Sequence, residues 1–297
     1  MNSDYSNYEM VQHEENLPYT IFIHTKERIE NDGYLDPRGK LVVPNLMNHW
    51  HEALEMDYLF RGSCQYMVNG REFLVSQDQF ILINCRDIHC INFDFTMDEQ
   101  DIIGFTLLIS EDFIRTLVPD IDQSIFENER IRENDRIRDL MLQIYRLYTQ
   151  PQGEYTGIAI TSQITMLIYE LCSSGAKRER AIIPINSQKS VERLRGILQY
   201  VEEHYTENLV QEEMANRFHF SRVYFARFFK KYTGMTFTEY LTRYRLLMAR
   251  ELLLNTDLNM TEVAMHCGFS DSRRFIIAYK KHYGTTPYQH RLAENRE

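Results

Sequence analysis

With 297 residues, 43% of them hydrophobic and 26% charged, the chain is long enough for two domains and too apolar for wholesale disorder. Its longest apolar stretch, Ile102 to Ile109, is interrupted by Gly104 and Thr106 and falls far short of the roughly 20 residues a bilayer crossing takes. Five cysteines without a CxxC pair argue against a disulfide framework. The net charge of −10 disfavours a polyanionic partner only until it is divided. Residues 188–297 hold 17 Lys and Arg against 13 Asp and Glu, a balance of +4, whereas residues 1–187 hold 16 against 30, a balance of −14.

The chain opens on Asn, Asp and Glu rather than on a basic and then apolar segment, so no signal peptide is expected. Reduced thiols and a cytoplasmic location without membrane association follow as expectations. Residues 1 to about 20 are polar and weakly patterned, as in a flexible arm or a loosely docked strand. From about 20 to 110, short runs of Ile, Phe, Tyr and Val broken by Asn, Gly, Asp and Pro predict strands. The plainest hairpin is Cys64–Val68, Asn69-Gly70, Arg71–Val75, because Asn-Gly supplies the two positive-φ residues of a type I′ turn. Strands about ten residues apart predict a small antiparallel barrel or sandwich over 1–120.

The period then changes. Ile137, Leu140, Met141, Ile144, Leu147 and Tyr148 fall at helical spacing within 124–150. Pro151 and Gly153 break the chain, and Ile160, Ile164, Leu167 and Leu171 resume it. The two helices predict a hairpin over 121–175 whose narrow apolar seam either joins a second copy or covers the barrel, the homodimer being the expectation. Ser173 to Lys189 lacks periodicity, and a linker is expected at 176–189. Beyond it, 190–297 reads as helices throughout.

This last part repeats itself. Ala215, Phe220-Ser221, Phe225, Lys230-Lys231 and Gly234 return as Ala264, Phe269-Ser270, Phe275, Lys280-Lys281 and Gly284, offset by 49 residues before the turn and 50 after it. Each copy predicts a short helix, a tight turn and a second helix, capped by Ser221 in one and by Ser270 or Asp271 in the other. Glu239 to Leu254 predicts a long connecting helix. A helix of this kind fits the major groove of DNA, and lysines and arginines hold the phosphates. Arg222, Arg227, Arg273 and Arg274 sit in the exposed first turns, and Lys230 and Lys280 near the helix ends.

The residues EVAMHCGFSDSRRFIIAYKKHYGTTPYQHR (262–291) and, more loosely, MANRFHFSRVYFARFFKKYTGMTFTEYLTRYRLLMARELL (214–253) resemble the AraC/XylS transcription regulators over roughly 190–295. The resemblance implies an α+β chain with two helix-turn-helix units that bind double-stranded DNA and regulate transcription. Activation through RNA polymerase is favoured. By position it implies that Arg222, Val223, Ala226 and Arg227 face the bases from the first recognition helix, and Ser272, Arg273, Ile276 and Ile277 from the second. Ile276-Ile277 departs from a commonly polar pair, and isoleucine offers a base edge only an apolar contact, as to a thymine methyl. Most direct readout is therefore expected from the first unit, with Arg273 and phosphate contacts serving the second.

Upstream, His49-x-His51-x-x-x-Glu55, with His89 closing QFILINCRDIH, resembles the two motifs of a cupin barrel. The second motif is incomplete, with Gln79, Cys85 and Arg86 where its Gly and Pro residues normally stand and Phe93 at its Asn position. Cupin-like effector domains of AraC-like regulators mostly hold no metal, so this resemblance implies a pocket in which His49, His51, Glu55, Tyr58 and His89 hydrogen-bond a polar small molecule such as a sugar. No metal, no cofactor and no catalytic residue is expected. The competing reading is a metal-dependent cupin enzyme fused to a DNA-binding module, since three histidines and a carboxylate can hold iron, manganese or zinc. A redox role for Cys85 and Cys90 would need a lowered thiol pKa.

Overall fold

A computed structural model describes residues 17–25, 34–35, 41–42, 48–94, 102–151, 153–180 and 185–294. The polar arm expected at the start lies almost wholly outside the described residues. The chain divides into two compact units, one built on Tyr8–Ser190 and one on Val191–Glu297.

The first unit opens with strand β1 (Tyr19–Thr25), followed by the short antiparallel pair β2 (Tyr34–Leu35) and β3 (Leu41–Val42). Strands β4 (Leu54–Leu59), β5 (Ser63–Val68), β6 (Arg71–Ser76), β7 (Gln79–Ile83), β8 (His89–Asp94) and β9 (Ile102–Ile109) come next. They form two antiparallel sheets, of order β1-β9-β4-β7 and β6-β5-β8. The hairpin turn between β5 and β6 has Asn69 at φ 48° and Gly70 at φ 77°, the left-handed pair that a type I′ turn requires.

Alternation along the strands divides the side chains into two layers. Leu59, Ile81 and Ile83 of the first sheet meet Cys64, Tyr66, Val68 and Val75 of the second in one core cluster. Leu54, Met56, Tyr58, Phe80, Leu82, Phe105, Leu107 and Ile109 point the other way. That outer layer is covered by α1 (Glu111–Leu117), α3 (Asp135–Thr149) and α4 (Thr156–Ser173) through Ile114, Ile137, Leu140, Met141, Ile144, Ile160, Ile164, Leu167 and Leu171. The seam of the helical hairpin is thus buried against its own sheet. It is not free to join a second copy, which corrects the dimer seam expected from periodicity.

Two boundaries also differ from expectation. The helix expected from about 124 starts at Asp135, where the Asn134 side chain accepts from the backbone N–H groups of Arg136 and Ile137. Before it lie strand β10 (Ser124–Phe126) and a single turn, α2 (Asn128–Ile131). Lys177–Glu179, inside the stretch expected as linker, forms β11 and pairs with β10, and Ala176 is wholly buried in the first unit's core. Residues 181–184 lie outside the described set.

Helix α5 (Ile185–His204) leads into the second unit. There α6 (Gln211–Arg217) and α7 (Arg222–Thr233) form one helix pair, and α9 (Met260–His266) and α10 (Ser272–Tyr283) form the other. Between them runs α8 (Phe237–Asn255), and α11 (Pro287–Glu294) closes the unit. The long helix packs against α7, α9, α10 and α11, so it ties both pairs into one body. Its 19 residues span about 28 Å at 1.5 Å per residue. Both pairs need a left-handed residue in the turn, supplied by His219 (φ 58°) in the first and Gly268 (φ 75°) in the second.

Candidate functional site

Four of the five residues expected to line a pocket meet inside the first unit. An isolated antiparallel bridge pairs His49 with His89, each N–H donating to the other's carbonyl at 3.0 Å. This sets their rings 4.0 Å apart, with the His51 ring 5.2 Å from His89. Glu55 points inward from β4, and its Oε2 lies 2.7 Å from His51 Nε2 and 3.1 Å from His89 Nε2. His49, His51, Glu55 and His89 expose between 0% and 6% of their surface.

Tyr58 does not join them. It stands three residues beyond Glu55 on a strand with a two-residue period, so it faces the opposite layer, against Phe60 and Phe105. The residue that shares the Glu55 face is Asp57, which sequence reasoning missed. Thr106, opposite Asp57 in the β4–β9 register, donates its hydroxyl to Asp57 Oδ1, and His24 Nε2 lies 2.7 Å from that hydroxyl. Both acids are buried, and their protonation separates. Burial raises the Glu55 carboxyl, but the charges and hydrogen bonds of His89 and His51 outweigh it and hold the group well below the usual carboxylate range. Burial and then the Glu55 charge push Asp57 well above that range. Burial lowers His89, yet the adjoining Glu55 carboxylate raises it further, to about 9.

The loop before β8 holds this arrangement in place. The His89 Nδ1 donates to the Asp87 carbonyl at 3.0 Å, and the Asp87 side chain accepts from Asn69 at 2.7 Å and Asn84 at 3.3 Å. Arg86 adopts φ 66° and donates its N–H to the His51 carbonyl at 2.8 Å. Its guanidinium makes a two-pronged pair with Glu111, 2.7 Å on each side. Arg86 stands in the region where the second cupin motif normally carries glycines, and its backbone keeps a conformation that glycine favours. Cys85 lies beside it, buried, with its thiol pushed up to about 12 chiefly by burial; this is the opposite of a reactive cysteine.

In the second unit the candidate base-facing residues lie on the outer faces of α7 and α10. Ser221 caps α7, its Oγ accepting from the Tyr224 N–H at 3.3 Å. Asp271 caps α10, accepting from the Arg274 N–H at 2.8 Å. Arg222, Val223, Arg227 and Lys230 are exposed, as are Arg273, Arg274, Ile277 and Lys280, while Ala226, Ser272 and Ile276 are half-buried. Phe225, Phe228 and Phe229 of α7, and Phe275 and Tyr279 of α10, are buried on the inner faces. Each second helix is therefore anchored by aromatics and presents a basic face. Val223 and Ile277 are unusual apolar members of that face, 63% and 58% exposed.

Two family descriptions match the chain: an AraC-like ligand binding domain over residues 45–168 and a helix-turn-helix domain over 214–293. The chain belongs to the AraC family of transcriptional regulators. It is a ligand-responsive, DNA-binding regulator. Across 261 residues it is 27% identical to the HTH-type transcriptional activator RhaS of Escherichia coli O157:H7, covering 85% of this chain and 89% of RhaS. It is also 28% identical over 159 residues to the regulatory protein PocR of Salmonella typhimurium, where the match spans 49% of this chain and 52% of PocR. The C-terminal domain of the two-component response regulator yesN from Fusobacterium nucleatum is 35% identical over 34% of this chain and 98% of that domain, with a TM-score of 0.33. Among the described residues no helix of this AraC-family chain is long and apolar enough to cross a membrane.

Proposed function

We propose that this regulator senses a polar small molecule, sugar-like in chemistry, inside the first unit and acts in the cytoplasm by binding rather than by catalysis. The observation that carries this reading is the buried polar set of the barrel interior, His49, His51, Glu55, Asp57, His89 and Thr106. An interior of this kind offers hydroxyl-rich ligands both donors and acceptors in a water-poor setting. Ligand binding favours one arrangement of the chain over another, and DNA affinity or activation changes by the difference in binding free energy. Arg222, Val223, Ala226 and Arg227 read bases from α7, and Ser272, Arg273, Ile276 and Ile277 from α10, with Ser221, Lys230, Arg274 and Lys280 at or near phosphates. The regulator works as an activator that contacts RNA polymerase.

A homodimer remains part of the reading, carried by the outer side of α4 in place of the hairpin seam. Ile158, Met166 and Tyr169 are exposed there, and no charged residue occurs from Thr156 to Tyr169. Thermal melting of the full chain against a panel of sugars and sugar acids tests the effector reading. A hit that raises the melting temperature and is lost in Asp57→Ala supports it, and silence across the panel opposes it.

A further inference from the structure

We propose that Arg180 latches the segment leading to the second unit onto the loop Asn84–Asp87, so that the state of the pocket is transmitted to that segment. This coupling rests on the pocket reading above and names the residues through which occupancy leaves the first unit.

The loop is bonded on two sides. Toward the pocket, the Arg86 N–H donates to the His51 carbonyl at 2.8 Å, and His89 Nδ1 donates to the Asp87 carbonyl at 3.0 Å. Away from the pocket, the Asn84 side chain accepts from the Phe126 N–H at 2.7 Å and donates to the Phe126 carbonyl at 3.1 Å. It thus engages β10 as a neighbouring strand does, and β10 carries β11 on its other edge, with Phe126 opposite Lys177. Arg180, directly after β11, donates from Nη2 to the Cys85 carbonyl at 3.1 Å. Its charge also acts on the buried Asp87 carboxyl, which burial raises and Asn69, Arg180 and Asn84 draw back. Arg180 is the last described residue before α5, the helix that leads into the second unit.

The loop has the character of an element with two arrangements. Arg86 sits at φ 66°, a conformation that a non-glycine residue keeps only where its surroundings enforce it. Beyond the pair with Glu111, its guanidinium faces Asp122 at 3.4 Å and Glu52 at 3.9 Å. The pocket side and the Arg180 side are each held by a few hydrogen bonds, which contribute little singly. An effector that takes over a bond of His51 or His89 therefore shifts the balance of the loop, and Arg180 shifts with it. Two sites that bias one such element are coupled by it.

The test reads hydrogen exchange and duplex DNA affinity of the full chain without any effector. Glu55→Gln keeps the shape of the pocket while changing the group that both His51 and His89 face. In the parent chain it should change exchange over residues 174–190, and DNA affinity, at least threefold. Arg180→Gln should speed exchange over 174–190 about tenfold with Asp135–Ser173 unaffected. It should also abolish the response of both readouts to Glu55→Gln, the non-additivity that marks coupling. Arg178→Gln, a change on β11 itself, should leave that response intact. The proposal is overturned if Glu55→Gln does not reach residues 174–190 in the parent chain, if its effect is equal with and without Arg180, or if Arg178→Gln abolishes the response as fully. The parent-chain arm needs no change at Arg180, so it decides even where that variant fails to fold. Silence across the sugar panel opposes the effector reading and leaves this result standing.

Discussion

The turn of the second helix pair offers a calculable test of how the DNA-binding unit is assembled. Gly268 sits at φ +75°, and a Cβ added there would lie 2.8 Å from the Thr206 Cα, the Thr206 carbonyl oxygen and the Tyr205 carbonyl oxygen. Gly284 has nearly the same conformation, φ +73°, with nothing within 4 Å. In Gly284→Ala the cost is the left-handed conformation alone, about 1–2 kcal/mol. In Gly268→Ala the backbone of residues 205–206 must move as well. That backbone is pinned, because Arg245 Nε donates to the Tyr205 carbonyl at 2.8 Å and its Nη2 to the Glu207 carbonyl at 2.7 Å. Straining a contact of this type adds about 1–3 kcal/mol, so Gly268→Ala should cost about 2–5 kcal/mol in total. Hydrogen exchange of the full chain reads this directly, as loss of protection in α9 and α10 with α3 and α4 unaffected. Duplex DNA binding should weaken in parallel. Equal losses for the two alanine variants would refute the reasoning, as they would show that residues 205–206 do not meet this turn.

Four further outcomes follow from the same structure. Leu167→Ala empties a fully buried site between hairpin and sheet and should destabilise the first unit by about 2–5 kcal/mol, read by the fluorescence of Trp50, the single tryptophan. Tyr169→Lys should leave that stability nearly unchanged and shift sedimentation toward monomer. Asp57→Asn should change stability by less than about 1 kcal/mol near pH 4. The Asp57 pKa is raised on folding, so the stability Asp57 contributes is full below its unfolded pKa and falls as pH rises through the folded value; the asparagine variant should gain on the parent chain as pH rises. Cys64 and Cys85, both with thiols pushed up to about 12 mainly by burial, should resist alkylation until the chain is unfolded, and labelling of the native protein within minutes would contradict this.

Where pattern and period decide structure, the residues announced it. Asn69-Gly70 marks its hairpin because few residue pairs adopt two left-handed conformations, and the Phe-Ser, Phe, Lys-Lys, Gly repeat marks both helix pairs because anchoring and capping demand those types. What covers a surface is a different matter. Ile137, Ile144 and Leu167 form one apolar stripe whether they meet a sheet or a second chain, so the hairpin could be placed only once the sheet was seen. Lys177–Glu179 carries no strand period, and its pairing with Ser124–Phe126 is set by distant contacts.

The resemblance to the cupin motifs singled out the three histidines and Glu55, and the structure brings these four side chains together. Tyr58 was a parity error, since counting two by two from Glu55 gives Asp57. The raised pKa of Asp57 was beyond sequence reasoning, because it arises from burial and then from the neighbouring Glu55 charge, which outweigh the lowering effect of the hydroxyl of Thr106, a strand-partner 49 residues away. His219 hid for another reason. Nothing but its alignment with Gly268 signals a left-handed residue, and a non-glycine there gives no compositional cue.

Recognition of DNA by this chain rests on two groove-reading units, and selection of binding sites by the full-length protein from random-sequence duplex DNA tests that most directly. Two sequence blocks about 10 base pairs apart should be enriched, with the block read by α7 the more sharply defined. Arg227→Ala should relax that block by about 1–3 kcal/mol of discrimination, whereas Lys230→Ala should weaken all sequences alike and lessen the salt dependence. Enrichment of no sequence, together with binding indifferent to salt, would contradict the assignment of α7 and α10 as DNA-reading helices.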